Sequence, residues 1–379
     1  DETGARLAVA YAGKVEGRLS LIYSRIDNGY DAFAIDNSYT MLSDNPGRDA
    51  QESLGASLRL DWDGPGQGDL TSITALAVSD IAFSFDADWG NEESWAPVLY
   101  DYISRSQRER DTLSQEFRYT TESWLLGLYV LRLEEDFDTL NVGEYYDPGY
   151  DFADSLDYPF GSEFESTNVA GFAQFSHEPL DGTRITAGLR VEHRSADYAD
   201  TDGFSASPSE TLWGGELSIS RDLDARVTGY ASVARGYKAG GFNLGLVPDE
   251  WRFFGDEAML TVEAGIKSSL RDDALLINAS VFHAWRDDQQ ARASFQLVPN
   301  DPASFGFATI NIDGGKNWGG ELELQYQLAR TVDLYASVGL LYGGFPGNVE
   351  RLPSLNGRDQ AHAPRYTLAA GASWRSDSG

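Results

Sequence analysis

Apolar and polar residues alternate one by one along most of this chain. Between 184 and 194, Ile185, Ala187, Leu189 and Val191 form one set, while Arg184, Thr186, Arg190 and Glu192 form the other. Between 320 and 328, Leu322, Leu324, Tyr326 and Leu328 interleave with Glu321, Glu323, Gln325 and Gln327. Between 331 and 340, Val332, Leu334, Ala336, Val338 and Leu340 interleave with Thr331, Asp333, Tyr335, Ser337 and Gly339. A strand turns successive side chains to opposite faces, so a period of two separates these sets, whereas a helix would scatter both around its axis. The pattern predicts about fifteen strands, near 5–12, 18–28, 51–62, 70–85, 111–121, 124–136, 167–178, 184–196, 211–221, 225–237, 258–270, 274–287, 307–328, 331–342 and 363–375.

The connections alternate in length. Short turns fall near Gly13, Gly64–Gly68, Ser123, Pro179–Gly182, Leu223–Asp224, Arg271–Asp273 and Arg330, and long loops near 29–50, 86–110, 137–166, 197–210, 238–257, 288–306 and 343–362. Short turns at one end and long loops at the other are the plan of a bacterial outer-membrane barrel, whereas a sandwich mixes both at each end. The polar face carries opposed charges, among them Glu116, Arg118, Arg190, Glu192, Glu216, Glu263, Lys267, Glu321 and Glu323. That face suits the hydrated or plugged interior of a wide barrel. The expected fold is all-β, an antiparallel transmembrane β-barrel, with Ile185, Leu189, Leu322, Leu324, Leu334 and Val338 facing lipid. Tryptophans cluster towards strand ends, at 62, 89, 124, 213, 285, 318 and 374. They suit interfacial girdles, and equally ordinary rim or core aromatics.

Composition narrows the function. The 379 residues include 39 Gly, 19 Tyr, 19 Phe and 9 Trp, but no Cys and only 4 His. Without cysteine there are no disulfides, thiolate metal sites or cysteine nucleophiles. A formal charge of −31, from 29 basic and 60 acidic residues, repels phosphate backbones and argues against nucleic acid as a partner. Mean hydropathy is −0.37 and no apolar run approaches a spanning helix, but barrel strands turn only alternate residues to lipid. His177, His193, His283 and His362 are far apart in sequence, none at metal-ligand spacing with another. No constellation of catalytic groups stands out, so no enzyme is expected.

Residues 230–243, YASVARGYKAGGFN, resemble a segment typical of TonB-dependent receptor barrels, in which a strand runs into an extracellular loop. Residues 114–133 (SQEFRYTTESWLLGLYVLRL), 168–191 (NVAGFAQFSHEPLDGTRITAGLRV) and 255–290 (GDEAMLTVEAGIKSSLRDDALLINASVFHAWRDDQQ) resemble hairpins of that family in the same order. Segments 316–324 (KNWGGELEL), 361–366 (AHAPRY) and the early loop at 30–49 match further landmarks. The resemblance implies a Gram-negative outer-membrane barrel of about 22 strands, filled by an N-terminal plug that contacts the TonB complex. It also implies outer-membrane lipid around the barrel and uptake of a small extracellular ligand: a ferric siderophore, cobalamin, haem or a glycan. The chain departs from that pattern at both ends. Asp1 leads directly into a predicted strand, with no signal peptide, plug or TonB box, and Gly379 follows soon after the strand containing Trp374. Residues 1–379 are therefore expected to be a partial barrel domain.

Two segments are candidates for ligand contact. No Lys or Arg lies between Arg132 and Arg184, and the predicted loop at 134–165 combines many carboxylates with Tyr145, Tyr146, Tyr150 and Tyr158. Tyr145, Tyr146, Asp147, Tyr150, Asp151 and Asp154 are the expected contacts. Carboxylates at this density are read first as a solvated acidic surface loop and second as a Ca²⁺ site; no other cofactor is expected. The family segment Tyr237, Lys238, Gly240, Gly241, Phe242 and Asn243 is read first as a strand-to-loop transition and second as part of a ligand mouth. A passive pore or adhesin barrel, and a soluble β-protein that binds glycans, are the alternative functions.

Overall fold

The computed structural model describes residues 1–29, 33, 34, 36, 38–296, 305–350 and 352–376. The predicted loops at 29–50, 288–306 and 343–362 therefore lie partly outside the described residues. Five strands come first: β1 (Glu2–Tyr11), β2 (Val15–Gly29), β3 (Arg48–Asp63), β4 (Asp69–Asp86) and β5 (Leu99–Thr120). A four-residue helix, α1 (Glu92–Trp95), precedes β5. Next come β6 (Trp124–Asp147), β7 (Phe152–Leu180), β8 (Thr183–Asp200), β9 (Ser205–Ala206), β10 (Ser209–Asp224), β11 (Val227–Lys238), β12 (Gly241–Phe242) and β13 (Phe253–Phe254). The last are β14 (Glu257–Leu270), β15 (Leu275–Asp287), β16 (Gln289–Gln296), β17 (Phe305–Ile312), β18 (Gly315–Ala329), β19 (Val332–Gly344) and β20 (Tyr366–Trp374).

One 16-stranded sheet follows chain order from β1 to β8, then β10, β11, β14, β15, β18, β19 and β20, with β9 beside β8. Consecutive strands pair, so local hairpins build the sheet. The pairs β12–β13 and β16–β17 stand off this path.

Three expectations need correction. The predicted loop at 137–166 is strand almost throughout, because β6 and β7 run 24 and 29 residues and leave only Pro148–Asp151 between them. Alternation does not stop where the carboxylates begin: Glu134, Asp136 and Asp138 are exposed while Glu135, Phe137 and Thr139 are half-buried. Glu134, Asp136 and Asp138 continue the face that carries Leu126, Leu128 and Val130, beyond its apolar stretch, and a polar residue there breaks no rule of pairing. The loops at 86–110 and 197–210 shorten likewise, since β5 begins at Leu99 and β8 and β10 reach Asp200 and Ser209. The predicted single strand at 307–328 is two, β17 and β18, broken at Asp313–Gly314, where Gly314 has φ 67°. β17 pairs with β16 and leaves the main sheet to β18.

The chain falls into two compact units. One comprises Asp1–Glu122, Leu126–Gly171 and Glu192–Thr211; the other comprises Ser123–Leu125, Phe172–Val191 and Leu212–Gly379. In the first, Leu7, Leu21, Ala56, Leu76 and Leu113 lie directly opposite one another across β1 to β5. Opposed residues share a face, so this is a continuous apolar row. Four residues further along each of β2 to β5, the same face reads Arg25, Glu52, Asp80 and Glu109. The apolar stretch is thus bounded within the strands, which continue beyond it. On the opposite face Arg108 and Arg110 both pair with Glu135.

In the second unit Gly229, Ile266, Ala279, Leu322, Val338 and Leu368 form an equivalent row across β11 to β20. Leu324 faces Ala336 and Leu334 faces Tyr326, so Leu322, Leu324, Leu334 and Val338 share one face. On β8, Leu189 is 53% exposed and its side-chain alternation puts Ile185 on the same face. The other face is polar: the Tyr230 hydroxyl donates to Glu263 at 2.7 Å, and the Lys267 ammonium lies 5.7 Å from the Tyr230 ring. The buried apolar cluster of this unit lies off the main sheet, as described next.

Candidate functional site

The tip of the β6–β7 hairpin carries the residues predicted to meet a ligand. Asp147 accepts the backbone N–H of Gly149 at 2.7 Å and closes the turn; Asp154 accepts that of Ser155 at 2.8 Å. Asp151 has φ 48° and receives the Tyr146 hydroxyl at 3.4 Å. Tyr150 is 86% exposed. Among the described residues, no three His, Asp or Glu side chains form a group that could hold a metal ion. Tyr145 alone joins a larger assembly. Its ring lies 5.9 Å from Tyr100 and 6.0 Å from Phe152, while Tyr100 packs against Trp95 at 5.0 Å and Tyr102 at 5.2 Å.

Beside these rings is a hub that periodicity does not mark. Asp88 is 1% exposed and accepts three donors: the Gly90 N–H at 2.9 Å, the Trp95 indole N–H at 3.0 Å and the Tyr102 N–H at 2.8 Å. Asp86, the last residue of β4, accepts the N–H of Asp44 at 3.1 Å and that of Asp88 at 3.3 Å. Asn91 caps α1 by accepting the Ser94 N–H at 2.9 Å, and its amide donates to the Leu42 carbonyl at 2.9 Å. The Asn45 amide donates to Asp101 at 2.8 Å. Segment 42–45 is thereby tied to 86–102. Burial, then the hydrogen bond to the Asp88 carboxyl, push Asp86 up to about 6. Burial, with the Asp88 and Asp101 charges behind it, also raises Asp44. The only sequence signal was the short string Asp86-Ala87-Asp88-Trp89-Gly90-Asn91 between two strands, which is turn chemistry.

The segment Tyr237–Asn243 opens a second assembly, in the second unit. A Cβ on Gly240 would stand 2.6 Å from the Phe254 carbonyl oxygen, and one on Gly241 would stand 2.7 Å from the Phe254 ring. Only glycine lets the two chains approach so closely. Phe242 packs on Phe253 at 5.4 Å. Asn243 then clamps β17: its carbonyl accepts the Thr309 N–H at 2.7 Å, and its amide donates to the Thr309 carbonyl at 2.7 Å and the Trp251 carbonyl at 2.6 Å. Gln290 donates to the carbonyls of Ala239 at 2.8 Å and Gly255 at 3.0 Å. Asn311 accepts the Gly255 N–H at 2.6 Å, and Glu257 accepts from Arg286 at 2.5 Å and from the Gln290 N–H at 2.9 Å. Above these polar contacts, Val247, Ala291, Ala308, Ile310, Ile312, Val349 and Leu352 make one buried cluster, with Trp251 and Phe295 against it. Three connections, β11–β14, β15–β18 and β19–β20, thus share one small core. β11 ends at Lys238, and the residues that follow it carry these contacts.

The family described as TonB dependent receptor-like, beta-barrel matches residues 9–379. This chain belongs to that family. Solved structures agree on the fold. The ferric yersiniabactin uptake receptor FyuA of Yersinia pestis superposes with a TM-score of 0.70 at 15% identity, covering 98% of this chain and 56% of its own. The copper transporter OprC gives a TM-score of 0.67 at 15% identity, covering 98% and 56%. BauA, the ferric preacinetobactin receptor of Acinetobacter baumannii, gives 0.67 at 14% identity, covering 100% and 59%. The chain therefore spans under two thirds of the length of these receptors. Within the TonB-dependent receptor barrel, two landmark strings prove to be in contact: the Arg190 guanidinium of the β8 segment donates to the Tyr237 hydroxyl of the β11 segment at 3.1 Å. Sequence order alone did not suggest that link.

Proposed function

We propose that this chain is the barrel wall of an energy-coupled outer-membrane receptor that takes up a scarce nutrient, of the ferric siderophore, cobalamin, haem or glycan class. The observation that carries this is family membership over 9–379, on a sheet whose two faces differ in kind. Ile185, Leu189, Leu322, Leu324, Leu334 and Val338 face lipid. The polar face, with Arg108, Arg110, Glu135 and Glu263, lines the interior against a plug through which TonB acts. Wall residues select and pass a ligand, and no step of bond chemistry is assigned to them. Tyr100, Tyr102 and Tyr145 supply flat amphipathic surface at the loop end, which suits a ligand with rings or sugar faces.

The test is accumulation of labelled ligands by cells carrying or lacking the full-length receptor, with and without a proton uncoupler. The panel holds ferric siderophores, cobalamin, haem, a glycan and copper, the last because OprC is described as a copper transporter. Loss of uptake of one ligand on deletion, and its collapse with uncoupler, is expected. Unchanged uptake of every ligand, with steady open-pore conductance of the purified protein in planar bilayers, would favour a passive pore.

A further inference from the structure

Two Asn–Gly pairs occur in this chain, Asn28–Gly29 and Asn356–Gly357, and the fold treats them oppositely. An Asn followed by Gly is open to attack on its own side chain. The next residue's backbone nitrogen can close a five-membered ring on Cγ, and only glycine brings no Cβ to crowd it. Whether the ring closes depends on what holds the atoms that must move.

At Asn28 little holds them. Asp27 lies opposite Ala50 and Gly29 opposite Asp49, so β2 advances two residues while β3 advances one. Asn28 is the extra residue of a bulge, without an opposite number in the ladder. Both Asn28 and Gly29 are exposed. Gly29 has φ 85°, and a Cβ built on it would meet no atom within 4 Å, so a ring has room. Two carboxylates flank the pair. The Gly29 N–H donates to Asp27 at 3.4 Å, and the Asn28 side-chain amide donates to Asp49 at 2.8 Å. One stands at the proton that must leave, the other at the nitrogen that must depart.

At Asn356 both reacting groups are tied elsewhere. The Gly357 N–H donates to the Pro346 carbonyl at 3.0 Å, and the Asn356 side-chain carbonyl accepts the Val349 N–H at 2.6 Å. Val349 and Leu352 are buried in the small core, so this turn cannot swing without disturbing it.

We propose that Asn28 is a site of spontaneous deamidation, from which Asn356 is protected. The Gly29 nitrogen gives its proton to the Asp27 carboxylate and bonds to Cγ of Asn28. The Cγ–Nδ2 bond then breaks, and the departing nitrogen takes up a proton and leaves as ammonia. Water opens the resulting succinimide at either ring carbonyl, giving aspartate or isoaspartate at position 28. The net change is amide plus water to carboxylic acid plus ammonia, with nothing oxidised or reduced. A third carboxylate then stands beside Asp27 and Asp49 in place of a hydrogen bond, and like charges so close repel. In the isoaspartate product the backbone is also one methylene longer. Both changes loosen the root of the loop between β2 and β3.

The experiment incubates the intact receptor at neutral pH and physiological temperature, digests samples over time, and follows the Asn28 and Asn356 peptides by mass spectrometry with isoaspartate detection. Conversion is expected to be roughly thirtyfold faster at Asn28, about fivefold for each hydrogen bond that Asn356 must break. The same chain held in denaturant should convert both sites at similar rates, because the Asn–Gly chemistry is then the same. Asp27→Ala should slow conversion at Asn28 roughly tenfold, less than the effect of a well-placed general base, and leave Asn356 as it was. Equal or faster conversion at Asn356 in the folded receptor overturns the proposal. The same ratio in denaturant also overturns it, because the difference would then come from flanking sequence. An unchanged rate at Asn28 in the Asp27→Ala variant, with β2 and β3 exchanging amides as in the parent, overturns the role of Asp27.

Discussion

At the scale of single residues, two positions carry more than their neighbours. Asn243 makes three side-chain hydrogen bonds, two of them to the backbone of Thr309, and lies at a buried site where water cannot replace them. Asn243→Ala should leave the Thr309 N–H and two carbonyls unsatisfied, at roughly 1–3 kcal/mol for each group stranded away from water. The expected result is faster amide exchange at 241–254 and 305–312 with unchanged exchange in β14 and β15, read by hydrogen–deuterium exchange of the intact receptor. Slow exchange in both loops would mean that the apolar cluster holds them unaided. Asp86 is the second position. Its carboxyl is raised to about 6 by burial and by the Asp88 carboxyl, while the Asp44 and Asp88 backbone N–H groups donate to it. A carboxyl raised on folding favours the folded form when protonated, so its contribution is fully present below about 3.8 and is lost as pH rises through about 6. Segments 42–45 and 86–102 should therefore loosen from pH 4 to pH 7. Asp86→Asn, which resembles the protonated group, should flatten that dependence. An unchanged pH profile in the variant would exclude Asp86 as its source.

At the scale of elements, the β16–β17 hairpin behaves as a piece apart from the wall. Ala308 is 1% exposed within the small core shared by three connections. Ala308→Asp buries a charge with no designed partner, a cost of several kcal/mol. It should open the 238–257 and 345–358 segments to protease while the wall still assembles. Loss of wall assembly would show that these loops fold before it. This element also marks where sequence reading stops. The strands that form hairpins with near neighbours were legible, because alternation in segments such as 184–194 and 320–328 is a local signal. Residues 307–312 also alternate, so the break at Gly314 passed unnoticed, and only pairing with β16 shows that they leave the main sheet. The acidic part of β6 and β7 failed for the opposite reason: charge resembled a loop, although Glu134, Asp136 and Asp138 keep the period of two. The Asp88 hub was invisible because its donors come from residues 90, 95 and 102 through the fold rather than through spacing.

At the scale of the whole molecule, the contrast between the two faces makes a prediction that any single contact would not. Leu324 and Glu323 are neighbours in sequence on β18, yet their cross-strand partners are Ala336 and Ile277 for the first and Ser337 and Asn278 for the second. If the first face meets hydrocarbon, Leu324→Arg places a charge among aliphatic neighbours with no water to solvate it, at roughly 2–4 kcal/mol near mid-bilayer. Glu323→Arg changes charge by more in formal terms but stays on the polar face, where Asn278 and hydrated neighbours surround it. The leucine variant should therefore fail to mature into the heat-modifiable, protease-resistant form in outer membranes, while the glutamate variant matures normally. A soluble β-protein predicts no such asymmetry, because neither side chain is fully buried here and both arginines would remain wet. Normal maturation of the two variants alike would therefore remove the lipid-facing assignment of Leu324. The outcome also bears on charge: in a chain of net charge −31, the arginine tests whether the apolar stretch of this face excludes a charge at one position.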